Sequence, residues 1–196
     1  SLMNTPISYS PETYKKNDGE LNSTLSNMFA DATYEISNPV FNKMSGKNID
    51  IVLLNNGGIR SIISKGNISE KTAFELMPFE NSIVVLELNG LSIIKMIDYL
   101  RKVKLQHPIS GLQITLNNDY SVNEVKINGI SIENEKKYYV ATTDYLLEGG
   151  DKMYFLAETT KTTDINYKMR DILIDYFKKY DTLKLKSDNR FIRINE

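Results

Sequence analysis

Cysteine is missing from this 196-residue chain, histidine occurs once, and no apolar run is long. Each shortage removes a class of function. Without thiols there are no cysteine nucleophiles, thiolate zinc sites or structural disulfides, although the compartment stays open because an exported protein can do without cysteine. A dinuclear metal hydrolase needs several histidines and carboxylates converging on one point, and His107, in the turn-like "QHPISG", cannot build such a centre alone. We expect it to be a surface loop residue. No acidic cluster has the spacing of a magnesium motif, so no metal is expected on this chain. The nucleophile elbow GxSxG is absent, and "NNGGIRSIISKG" fits neither GxxxxGK[ST] nor GxGxxG. A serine triad, a P-loop and a Rossmann site are therefore not expected.

Charge of one sign is also lacking. Twenty-four basic side chains against 25 acidic ones create no global field for nucleic acid or an anionic membrane, so any ligand is recognised locally. No segment approaches the roughly 18 apolar residues of a spanning helix, and the opening "SLMNTPISYSPETYKKNDGE" is too polar for a signal peptide. Neither a nucleic-acid partner nor a membrane span is expected. Residues 1–21 read as a linker or extension and 22–196 as one domain, long enough to bury a core without staples.

The chain does carry alternating helix and strand signals. "NSTLSNMFADATYEI" sets Leu25, Met28, Phe29, Ala32 and Ile36 at helical spacing, with Asn22, Ser23 or Thr24 as cap, and predicts a helix over 23–37 that ends before Pro39. "IDIVLLNN" has the unbroken apolar run of a strand covered on both faces, and "EKTAFELMPF" reads as a short helix stopped by Pro78. "SIVVLELNG" is a further strand. "LSIIKMIDYLRKV" reads as a helix with Leu91, Ile94, Ile97, Tyr99 and Leu100 on its apolar face. Strands follow in "LQITLNN", "VNEVKING" and "KKYYVATTDYLL", then the amphipathic helix "NYKMRDILIDYFKKY" and the strand "RFIRI". The order predicts an α/β layered domain with its antiparallel portion late in the chain.

Two glycine corners end strands: "LLNNGGIR" and "YYVATTDYLLEGGDK". Paired glycines permit positive φ and remove Cβ atoms, so a planar ligand can approach the main chain. A plain tight turn accounts for either corner alone, as core packing does for Phe79 or Tyr145 taken singly. Set around these corners, Asn55, Arg60, Phe79, Tyr145 and Asp151 are the parts of a nucleoside clamp. Two rings can sandwich a base, Asp151 can accept from both ribose hydroxyls, Asn55 offers donor and acceptor to a base edge, and Arg60 a planar fork.

With these residues in place, the chain resembles the C-terminal domain of the 5'-nucleotidase family, which includes UDP-sugar hydrolases. Four ordered blocks carry the likeness: "NSTLSNMFADA", "DIVLLNNGGIRSIISKGNISEKTAFELMPFENSIVVLELNGLSI", "HPISGLQI" and "YYVATTDYLLEGGDKMYFL". The resemblance implies an α+β layered sandwich with internal duplication, a nucleoside or nucleoside monophosphate ligand, and catalysis on a separate metallophosphoesterase domain or protein holding two divalent metal ions. It assigns Asn55, Gly57, Gly58 and Arg60 to the first binding corner, Phe79 and Tyr145 to base stacking, and Asp151 to ribose. It places no catalytic residue and no cofactor on this chain, and implies a periplasmic, secreted or surface location. A free-standing nucleoside-binding module is the alternative, and a structural domain with a decayed site a third. Two departures stand out: the arginine usual before the first helix is missing from "KKNDGELN", and Lys152 replaces the last glycine of "GGDG".

Overall fold

The computed structural model describes residues 2–195. In chain order the elements are β1 (Ser8–Ser10), α1 (Thr24–Ser45), β2 (Ile51–Leu53), β3 (Gly66–Ile68), α2 (Glu70–Leu76), β4 (Ser82–Asn89), α3 (Gly90–Val103), β5 (Ile109–Ser110), β6 (Leu112–Leu116), β7 (Val122–Ile127), β8 (Lys137–Thr143), α4 (Asp144–Leu147), β9 (Thr162–Lys168), α5 (Met169–Lys179) and β10 (Phe191–Arg193).

Five strands form the central sheet, in the order β5-β2-β8-β4-β9. The run "IVLL" and its counterpart in β4 explain why both sheet faces are covered. Val52, Leu54, Ile83 and Val85 point into one core with residues of α1, α2 and α5. Ile51, Leu53, Val84 and Leu86 point into the other, against α3 and the smaller sheet β10-β6-β7. Side-chain alternation thus turns an all-apolar run into two cores.

Helix α1 runs eight residues beyond the predicted Ser37, through Pro39. A proline inside a helix forfeits a hydrogen bond and costs about 3 kcal/mol, whereas fully burying an aromatic such as Phe41 returns about 1.5–3 kcal/mol. Phe41 is 2% exposed, and the helix ends at Gly46, whose φ of 72° closes the last turn onto the Asn42 carbonyl. Ser23 is the N-cap, accepting from the Ser26 amide. On α3 the buried stripe is Ile93, Met96, Ile97 and Leu100, while Leu91 and Ile94 face outward. Within residues 2–21, β1 pairs with β3, and Tyr14 and Leu21 are buried.

Topology decides where a site can form. β2 and β8 are parallel neighbours (Ile51 opposite Val140, Val52 opposite Ala141), so their C-terminal ends share one edge of the sheet. β4 is antiparallel to β8, with Ile83 opposite Thr143, so its N-terminal end lies at that same edge. Segments beginning at residues 54, 79 and 144 therefore meet, at the strand ends where open α/β sheets place ligands.

Candidate functional site

A cavity of about 270 Å³ opens at this edge, lined by Asn55, Gly57, Gly58, Arg60, Phe79, Asn81, Tyr145 and Asp151. All seven sequence-predicted residues are brought together there. Asn81 is the lining residue that sequence reasoning missed, two positions after Phe79 in "PFEN". Larger hollows exist, including one of about 620 Å³ beside α5, but that one is lined mainly by charged and polar groups. Apolar walls with a few convergent polar groups favour the smaller cavity.

The two rings sit on firmly tied backbone. Phe79 and Tyr145 are each 44% exposed, neither sealed in a core nor loose on the surface. The Phe79 segment is held by Arg170, which is buried and donates to the carbonyls of Met77 (3.3 Å) and Phe79 (3.5 Å) and to the Glu80 carboxylate. Hydrogen bonds from Lys168 and Arg170 hold the Glu80 carboxyl down at about 2. On the other side, Asp144 Oδ1 accepts from the amides of Ser82 (3.2 Å) and Tyr145 (2.8 Å), tying the start of β4 to the start of α4. Arg60 leans over the Phe79 ring, 6.0 Å from its centroid, and its amide is bound to the Leu76 carbonyl at 2.9 Å.

The glycines serve differently from the sequence expectation. Gly57 and Gly58 do not have positive φ; they form a 3-10 turn, Asn56–Gly58. A Cβ on Gly58 would lie 3.1 Å from Asn55 Oδ1, so the missing side chain makes room for the Asn55 amide. At the second corner only Gly149 has positive φ among the glycines, at 105°, and the left-handed bend continues through Asp151 (54°) and Lys152 (58°). A Cβ on Gly150 would stand 2.4 Å from Tyr145 Cε1, so Gly150 is what lets the tyrosine ring lie against the corner. The Tyr145 hydroxyl donates to Asp151 Oδ1 at 3.3 Å, and the Tyr99 hydroxyl donates to the Asp151 carbonyl at 2.6 Å.

His107 is no surface residue: it is 2% exposed, and burial lowers its pKa to about 4 despite the nearby Asp151 carboxylate. In the segment that lacks the upstream arginine, Lys16 reaches the first glycine corner. Its ammonium donates to the carbonyls of Asn56 (3.1 Å) and Ile59 (2.9 Å), and burial and the neighbouring Arg60 lower its pKa. Among the described residues no three His, Cys, Asp or Glu side chains are placed to hold a metal ion. No helix among them is long and apolar enough to cross a membrane.

Comparison with known proteins fits this geometry. Residues 5–158 match the model of the 5'-nucleotidase C-terminal domain, and the chain belongs to that family. It is 32% identical over 115 residues to Protein UshA of Escherichia coli (strain K12), covering 56% of this chain and 20% of that protein. It is 31% identical over 144 residues to Cell wall protein Lmo0130 of Listeria monocytogenes, covering 66% of this chain and 18% of that one. In three dimensions it is similar to the 5'-nucleotidase precursor from Thermus thermophilus, with a TM-score of 0.84 at 23% identity, over 100% of this chain and 40% of the other. The chain thus spans about a fifth of the length of the curated relatives it matches.

Proposed function

We propose that this chain is the nucleotide-recognition part of a 5'-nucleotidase and binds a nucleoside or nucleoside monophosphate in the cavity at the β2/β8/β4 edge. The observation that carries the reading is the meeting of two half-exposed rings from distant segments, Phe79 and Tyr145, with Asn55, Arg60 and Asp151 in one cavity. The base stacks between the rings. Asp151 accepts from the ribose hydroxyls, Asn55 and Asn81 address polar edges, and Arg60 with Lys16 gives the phosphate a cationic side. Hydrolysis belongs to a separate metallophosphoesterase domain or protein carrying two divalent ions. The family relationship and the short span relative to its relatives support that division. This chain contributes orientation of the ester and no proton transfer. Similarity to a cell wall protein supports an exported, periplasmic or surface location.

The test is calorimetry of the chain with adenosine, AMP and UMP, followed by assay of phosphate release from AMP with a metallophosphoesterase domain and divalent metal, with and without this chain. Binding to the isolated chain, and faster release when the chain is added, are expected. Binding without any gain in release identifies a free-standing nucleoside module. No binding to any of the three ligands refutes the proposal.

A further inference from the structure

We infer that the buried His107 and the half-buried Tyr99 form a strut between the two glycine corners, which makes both of them positioning residues for the cavity; the inference rests on the nucleoside reading of that cavity. His107 Nδ1 accepts the Asn56 main-chain N–H at 3.0 Å, so the imidazole fixes the turn that follows Asn55. Its ring lies 6.0 Å from the ring of Tyr99, centroid to centroid, with the planes 31° apart. The Tyr99 hydroxyl then holds the carbonyl of Asp151, the residue whose φ of 54° forms the bend of the second corner. Tyr99 also packs edge-on against Phe155 at 5.6 Å. A continuous path therefore runs from the Asn56 amide through two rings to the Asp151 carbonyl, linking two segments that line the cavity.

The segment bearing His107 is itself a junction. The Gln106 carbonyl accepts from Asn56 Nδ2 (3.1 Å) and from Ser26 Oγ of α1 (2.6 Å), and the Pro108 carbonyl accepts from the Leu54 amide (3.0 Å). Packing alone does not explain a histidine here. Since Nδ1 accepts, the proton sits on Nε2, and Nε2 is buried without a hydrogen-bond partner. A leucine would fill the space and leave no orphaned donor, so what the imidazole adds is an acceptor aimed at Asn56. The Asp151 carboxylate acts electrostatically on both His107 and Tyr99, as expected if the strut reaches the second corner.

The test is amide hydrogen exchange, followed by NMR on the whole chain, for His107→Leu, His107→Asn and Tyr99→Phe. Asparagine places Oδ1 where Nδ1 stood and restores the acceptor. His107→Leu is expected to speed exchange at least tenfold at residues 56–58 and also at residues 150–152, with His107→Asn within about twofold of native at both. Tyr99→Phe is expected to loosen residues 150–152 and to be felt at Asn56. Changes confined to residues 56–58 in His107→Leu, or to residues 150–152 in Tyr99→Phe, overturn the strut; should the leucine variant not fold, the tyrosine and asparagine variants still decide. A titration with AMP supplies the functional reading: at least tenfold weaker binding for His107→Leu, near-native binding for His107→Asn. If the native chain binds no AMP, the nucleoside reading fails, and the strut is judged on exchange alone.

Discussion

Replacing Phe79 and Tyr145 together by alanine is expected to weaken adenosine and AMP binding at least about thirtyfold. Base stacking on an aromatic ring contributes about 1–3 kcal/mol, and each tenfold in affinity corresponds to about 1.4 kcal/mol. Two rings lost therefore remove about 2–6 kcal/mol before any coupling. Coupling is expected here, because Phe79→Ala also deprives Arg60 of the ring it leans over, and Tyr145→Ala frees an oxygen of Asp151. The doubly substituted chain should nevertheless stay folded. Each ring is 44% exposed and lies outside both cores, so the loss in stability should be no more than about 1 kcal/mol per site. Calorimetry for affinity and thermal melting for stability separate the two effects. Loss of binding with an unchanged melt is the expected pair of results, and unchanged affinity would refute the stacking role.

Acid should destabilise this protein through its one histidine. His107 titrates at an ordinary value of 6.5 in the unfolded chain and about 4 when folded. Between those values the unfolded state binds the extra proton, so stability rises with pH. The contribution is complete above about pH 6.5 and is lost as pH falls towards 4. At roughly 1.4 kcal/mol for each pH unit, the expected loss is about 3 kcal/mol. The groups facing the ring work in opposite directions. The Asp151 carboxylate favours the protonated form, whereas burial opposes it more strongly. Denaturant melts at pH 7.0 and pH 4.5 should show most of this loss in the native chain and little of it in His107→Asn. Equal pH dependence in the two proteins would assign the acid sensitivity to carboxylates instead.

Much of the architecture could be read from residue order, and the exceptions share one cause. Strand β4, helix α2 and the doubly covered β2 follow from local periodicity and from Pro78, whose effects are confined to neighbouring residues. Where tertiary contact decides, local signals mislead. Burial of Phe41 carries α1 past Pro39, and pairing with β4 draws "TTDINYK" into β9 although its tail reads as the start of a helix. The apolar stripe of α3 is likewise displaced from Leu91 and Ile94, because the core contacts of Ile93 and Met96 fix the rotation of the helix.

The site was legible as a set of residues and not as a mechanism of assembly. "NNGGIR" and "LLEGGD" announce two corners, but positive φ was the wrong reason for Gly57, Gly58 and Gly150; Gly58 and Gly150 instead yield space to Asn55 and Tyr145. Nothing local marks His107 as buried, since its burial depends on Tyr99, Asn56 and α1 arriving from elsewhere in the chain. Lys16 was hidden for the same reason: its partners are carbonyls 40 and 43 residues away.

Nucleotide recognition by this chain requires one purine lying between two particular side chains, Phe79 and Tyr145. The direct measurement is an NMR spectrum of the chain saturated with AMP, recording nuclear Overhauser contacts from the H2 and H8 protons of the adenine. Contacts to the ring protons of both Phe79 and Tyr145 are predicted. An adenine that binds yet touches only one of these rings, or neither, would contradict it.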